Sequence, residues 1–151
     1  MADVRPFRGI RYNPKLSENL SALICPPFDT ISSEMQDSLH EQHPYNIIRL
    51  ELGENRPNDT NEYNRYSRSA LLLNQWIKEG ILLREVNPSF YIVSHKFVFN
   101  GKTHDRLELI ATVRLTDYDK RVVLPHEYTK DNDKQDRFDL IKACRANFSP
   151  I

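Results

Sequence analysis

Residues Ser89–Leu115 read SFYIVSHKFVFNGKTHDRLELIATVRL, and the centre of that stretch decides the fold. Two runs rich in β-formers, Ser89 to Phe99 and Lys102 to Leu115, meet at Asn100-Gly101. That dipeptide suits a type I′ turn, because both central residues must take positive φ and asparagine and glycine do so at least cost. The two runs are therefore expected to pair as one long antiparallel hairpin.

Upstream of the hairpin lies the clearest helical pattern. Tyr63, Tyr66, Ala70, Leu73 and Ile77 recur at alternating spacings of three and four, Asp59-x-x-Glu62 is placed to cap the segment, and Gly80 is placed to close it. Leu72 and Trp76 widen the apolar stripe, which must face a sheet or another helix. Further back, Asn46 to Leu52 carries β-formers and runs into Gly53, which predicts a strand. Ser32 or Ser33 can cap a helix over about 34 to 42, with Ser33-x-x-Gln36 as a capping box and Pro44 beyond the end. Pro26-Pro27 makes residues 21 to 31 an extended, shaped loop, since neither proline can donate to a ladder. Val4 to Tyr12 reads as a short strand broken at Asn13-Pro14. Downstream, Val122-Val123-Leu124 predicts another short strand, and Asp133 to Asn147 a helix with Phe138, Ile141 and Cys144 on one side. The sum is an α+β protein: a mixed, largely antiparallel twisted sheet containing the long hairpin, packed against two or three helices.

The chain has 151 residues, which suits a single domain with one core. Lys plus Arg and Asp plus Glu both count 21, so no net field favours nucleic acid or an anionic membrane. Cys25 and Cys144 show neither CxxC nor zinc-ligand spacing, which fits a reducing, cytoplasmic compartment. The first ten residues hold Asp3, Arg5 and Arg8 with no apolar run behind them, so neither a signal peptide nor a membrane span is expected. The apolar ending Phe148-Ser149-Pro150-Ile151 points to a chain that continues, making residues 1–151 an N-terminal portion of something longer.

No Walker loop, GxGxxG, HExxH, GxSxG or EF-hand pattern occurs, and only four glycines are present to make backbone cradles. The stretch with most chemistry is Leu124-Pro125-His126-Glu127-Tyr128-Thr129, followed by Lys130, Lys134, Arg137, Lys142, Arg145, Asn147 and Ser149. An imidazole beside a carboxylate can act as general base and orienter, and a helix bearing several cations can hold phosphate oxygens. The bland alternative is a loop-capping histidine and a solvated basic face. Asp136 and Asp139 flank Arg137, which reads on its own as a surface ion pair worth about 0 to 1 kcal/mol. Lys134 and Arg137 share a helix face and offer a two-cation edge. Asp29 is placed to cap the turn after Pro26-Pro27, and Cys25 reads as a buried, inert thiol. His40-x-x-His43 has metal-ligand spacing but sits at a helix end, where solvation is expected.

Arg5-Pro6-Phe7-Arg8-Gly9, Cys25-Pro26-Pro27-Phe28-Asp29, Asn46-x-Ile48-Arg49-Leu50, Asn64-Arg65-Tyr66, Leu124-Pro125-His126-Glu127 and Arg145-Ala146-Asn147-x-Ser149-Pro150-Ile151 follow one another along the chain. As a set they resemble the bacterial domain-of-unknown-function family 1015. Members of that family are considerably longer. The family in turn resembles the superfamily of ParB partition proteins, sulfiredoxin and a free-serine kinase, where a glycine, histidine and arginine cluster binds nucleotide phosphates. The family's Asp-Gly-His-His-Arg-like motif would lie beyond Ile151 and is carried onto no residue here. This chain has Cys25 where the family usually has alanine and Phe28 where it has tyrosine, so neither a thiol nor a phenol in that loop can be indispensable; Cys144 stands where the family has threonine, which removes a hydroxyl from the phosphate site the resemblance implies.

The resemblance and the local chemistry together imply that the complete protein binds a nucleotide and transfers phosphoryl to a small hydroxyl substrate. His126 and Glu127 would be catalytic; Arg137, Arg145, Asn147 and Ser149 would hold phosphate. No metal site is read from these residues, and magnesium would follow only from the phosphoryl chemistry. A small molecule and the remaining C-terminal part of the same protein are the expected partners. A non-catalytic protein-binding module is the rival reading, and a nucleic-acid-associated ParB-like domain the third, disfavoured by the neutral charge balance.

Overall fold

The computed structural model describes residues 1–124 and 131–149. Its elements are strands β1 (Val4–Arg5), β2 (Ile10–Tyr12), β3 (Leu82–Arg84), β4 (Tyr91–Phe99), β5 (Lys102–Ile110) and β6 (Thr112–Val113), with helices α1 (Ser33–Gln42), α2 (Ile48–Glu51), α3 (Arg65–Lys78) and α4 (Asp131–Cys144). The α+β class holds. Its strands form three two-stranded sheets, β1-β6, β2-β3 and β4-β5. The chain divides into two compact units, Met1–Ile10 with Arg84–Tyr128, and Arg11–Leu83 with Thr129–Ile151.

The first unit is built on the hairpin. Asn100 and Gly101 take φ of 49° and 72°, as a two-residue turn requires, and β4 and β5 pair without slippage from Tyr91↔Ile110 to Phe99↔Lys102. β1 pairs with β6 through Val4↔Val113 and Arg5↔Thr112. The Phe7 and Tyr91 rings lie 5.0 Å apart, and the Gly9 N–H donates to the Tyr91 hydroxyl at 2.7 Å. A Cβ on Gly9 would stand 2.6 Å from that oxygen, so any larger residue would push the Tyr91 ring aside and break the hydrogen bond. Val122 and Val123 lie in a bend and not in the expected strand. Arg121, at φ 50°, turns the chain out of a 3-10 turn at Tyr118–Lys120 just before them.

The second unit holds every buried apolar side chain among the described residues, including Leu23, Leu39, Ile48, Leu50, Leu73, Trp76, Leu82 and Leu140. α1 starts at Ser32, whose hydroxyl accepts from the Met35 N–H. Gln36 does not close a capping box and donates to the Leu52 carbonyl at 2.7 Å. α3 buries Leu73 and Trp76 of the expected stripe and has the expected glycine beyond its end, Gly80 at φ 73°, but Tyr63 lies exposed before the helix and the start differs. Asn64 accepts from the Tyr66 and Ser67 N–H groups while the Ser67 hydroxyl accepts from the Asn64 N–H. Asp59, the expected cap, is ion-paired with Arg68.

The strand expected at residues 46–52 is instead the short helix α2. Asn46 is fully buried; its side-chain carbonyl accepts from the Ile48 N–H at 2.9 Å, and its amide donates to the Ala22 and Ile24 carbonyls at 2.9 and 3.1 Å. Those bonds turn the chain, and burial of Ile48 and Leu50 outweighs the weak β preference of the segment. On α4 the buried apolar residue is Leu140, whereas Phe138 and Ile141 of the expected stripe are exposed.

Candidate functional site

Two carboxylates and two arginines gather where α2, α3 and α4 meet. Glu51 ends α2 and is only 4% exposed. Arg137, one turn before Leu140 on α4, donates Nη1 to Glu51 Oε1 at 2.5 Å and Nη2 to the Glu51 carbonyl at 3.0 Å. The same guanidinium donates Nε to Asp136 Oδ2 at 2.9 Å. Asp136 also receives Arg65 and, at 2.9 Å, the Tyr66 hydroxyl, both from the first turn of α3. The Asn64 cap therefore sets where the two Asp136 partners stand. Charge balances inside the cluster, as burial demands, since an unpaired buried ion costs several kcal/mol.

Two irregular segments complete it. After Pro26-Pro27 the chain forms a 3-10 turn at Phe28–Thr30, and the Phe28 ring lies 3.9 Å from the Arg137 guanidinium carbon. The Ser149 hydroxyl, beyond α4, donates to Glu51 Oε1. Gly53, Arg65, Tyr66 and Ser69 border a crevice beside Arg137 that leaves no room for a water molecule. Cys25 is pushed up to about 11 by burial, with Glu51 adding to the rise and Arg137 opposing it, so the thiol stays protonated at neutral pH.

The sequence-derived site residues fall differently. Arg137 and Ser149 come together on Glu51. Arg145 is exposed, takes φ 51° and caps α4 through its N–H to the Ile141 carbonyl at 2.7 Å; Asn147 is exposed two residues on. His126 and Glu127 lie outside the described residues. Arg137 is no surface pair: its side chain is 19% exposed and that of Asp136 17%. Lys134 and Arg137 do not form the expected two-cation edge: Arg137 is held inward on Glu51 and Asp136, while Lys134 is exposed and pairs with Asp131 at 3.2 Å. His40 and His43 are not merely solvated: Arg49 lies against His40 Nδ1 at 2.9 Å, and His43 Nδ1 accepts from the Tyr45 N–H.

Sequence reasoning missed Glu51, Asp136, Arg65 and Phe28 as cluster members. Glu51 was hidden by reading its segment as a strand, and the spacing of Arg137 from Asp136 could not reveal a partner 86 positions away.

The Cys-Pro-Pro-Phe-Asp, Asn-x-Ile-Arg-Leu, Asn-Arg-Tyr and Arg-Ala-Asn-x-Ser blocks thus all border one buried cluster. The family model described as protein of unknown function (DUF1015) matches residues 4–151. The chain belongs to that family. No curated protein and no solved structure matches it. Among the described residues of this family member no helix is long and apolar enough to cross a membrane, and no three His, Cys, Asp or Glu side chains assemble as a metal centre.

Proposed function

We propose that this segment forms one wall of a nucleotide-phosphate site in a protein that transfers a phosphoryl group to a small hydroxyl substrate. The observation that carries the reading is the convergence on the Arg137 cluster of Phe28, Arg65 and Ser149, from three separate family blocks, and of Glu51, which directly follows a fourth. A dry, charge-balanced cluster of this kind holds a wall rigid; it is not itself a pocket. In the proposal Arg137 and Ser149, anchored on Glu51, fix the turn after α4, and Arg145 and Asn147 present donors to phosphate oxygens. His126 or Glu127 accepts the substrate hydroxyl proton as the new O–P bond forms, and the bond from the γ-phosphorus to the bridging oxygen breaks to release the diphosphate. The carboxylates of this cluster do not fit a magnesium site, since Glu51 and Asp136 are each paired with arginine, and no step is assigned to a metal.

Calorimetry with ATP, ADP and CTP against the longest form of the chain tests the reading. At least one nucleotide should bind, and Arg145→Ala should weaken it about tenfold or more, the worth of one charge-assisted hydrogen bond. Absence of heat with all three, or unchanged affinity in Arg145→Ala, overturns it.

A further inference from the structure

The hairpin unit contains no buried apolar side chain among the described residues, while Ile92 and Val98 are 64% and 72% exposed and Phe99, Leu107 and Leu109 more than half exposed. A two-stranded hairpin alone is marginally stable in water, and a further strand is its usual support. Among the described residues no strand other than β5 pairs with β4.

The turn decides which backbone groups that open edge presents. Residues flanking a two-residue turn exchange both backbone hydrogen bonds, and such pairs alternate along the ladder. From Phe99↔Lys102 back to Tyr91↔Ile110, the odd-numbered residues of β4 therefore bond to β5. The N–H and C=O groups of Ile92, Ser94, Lys96 and Val98 point outward.

β4 reads Tyr-Ile-Val-Ser-His-Lys-Phe-Val-Phe, which is chemically palindromic about His95. Laid antiparallel against a second β4 with the two-fold axis at His95, Ile92 meets Val98 and Ser94 meets Lys96 as hydrogen-bonded pairs, all four presenting outward groups. Tyr91 meets Phe99, Val93 meets Phe97, and His95 meets His95 as non-hydrogen-bonded pairs. Apolar residues face apolar residues in every pair that contains one; ladder parity permits this register and side-chain chemistry singles it out. The outer edge of β5 offers no such match: its equivalent self-pairing centres Arg106 on Arg106 and sets Asp105 against Leu107.

We propose that two copies of this chain associate through the outer edges of β4, making a four-stranded antiparallel sheet in the order β5-β4-β4-β5. The contact is isologous and closes at two copies, because the remaining β5 edges reject further growth. This association is independent of the phosphotransfer reading.

Sedimentation velocity over a concentration series should show a monomer–dimer equilibrium. Ser94→Pro removes one outward donor from each copy while sparing the backbone bonds to β5, losing only the Ser94 hydroxyl's bond to Asp105 on that side, and should weaken the dimer about tenfold or more. His95→Cys places two thiols across the axis at a Cα separation of about 4.5 Å and should form a covalent dimer on mild oxidation. Arg106→Cys, at the middle of β5, should do so no more than wild type, which sets the background from Cys25 and Cys144. A monomer at every concentration, a dimer indifferent to Ser94→Pro, or equal cross-linking of the two cysteine variants would each overturn the proposal. Unchanged far-ultraviolet circular dichroism confirms that a variant tested is folded.

Discussion

Replacing Arg137 with methionine removes a guanidinium that satisfies Glu51 twice, binds Asp136 and covers the Phe28 ring. Glu51, 4% exposed with Arg137 in place, would keep the Ser149 hydroxyl as its side-chain partner. Stripping one member from a buried pair costs about 3–5 kcal/mol. Asp136 keeps Arg65 and Tyr66, so the loss should fall at the low end, about 3 kcal/mol. Trp76 is the sole tryptophan, is 2% exposed and lies in the same unit, so its fluorescence reports urea unfolding of that unit. With a urea slope of about 1.5 kcal/mol per molar, the midpoint should drop by about 2 M. Glu51→Leu alone should be similarly costly, but Glu51→Leu with Arg137→Met removes both charges and should cost at least about 1 kcal/mol less than the sum. An Arg137→Met shift under about 0.5 M, or additivity of the two changes, would refute the view that the pair clamps α2 to α4.

Three further outcomes follow from local geometry. The His40 Nδ1 lies 2.9 Å from Arg49 Nη1 and must accept, so the ring is neutral there; burial lowers its pKa first, Arg49 lowers it too, and Glu54 and Asp37 oppose. Its folded pKa lies below the unfolded 6.5, so the unfolded chain binds more protons between those values, and the associated stability is present above about pH 6.5 and lost as pH falls through the folded pKa. His40→Gln should flatten that slope in urea midpoints measured from pH 7.5 to pH 5; an unchanged slope contradicts the assignment. Asn64→Ala removes the capping box of α3 and should cost about 0.5–2 kcal/mol, read as a lower thermal midpoint, while no change would mean the cap is dispensable. Burial pushes both Cys25 and Cys144 up to about 11, so a thiol-disulfide reagent at pH 7.5 should react slowly with the native chain and rapidly in denaturant; native reaction at free-cysteine speed would contradict it.

Where local chemistry alone sets geometry, the amino-acid sequence determined this protein: the Asn100-Gly101 turn with its register, the α3 stripe closed by Gly80, and a start for α1 at Ser32 or Ser33 are short-range consequences of φ preference, 3.6-residue periodicity and capping. The membership of the DUF1015 family was equally legible, because its blocks are runs of adjacent residues. Tertiary structure decided what depends on distant partners. Residues 46–52 have the composition of a strand, yet Asn46 is bonded to the carbonyls of Ala22 and Ile24 and folds the segment into α2. That turn delivers Glu51 to Arg137, and α3 delivers Arg65 and Tyr66 to Asp136, across separations no local pattern encodes. A buried charge needs a partner wherever the chain can supply one, and only the folded arrangement determines which residue that is.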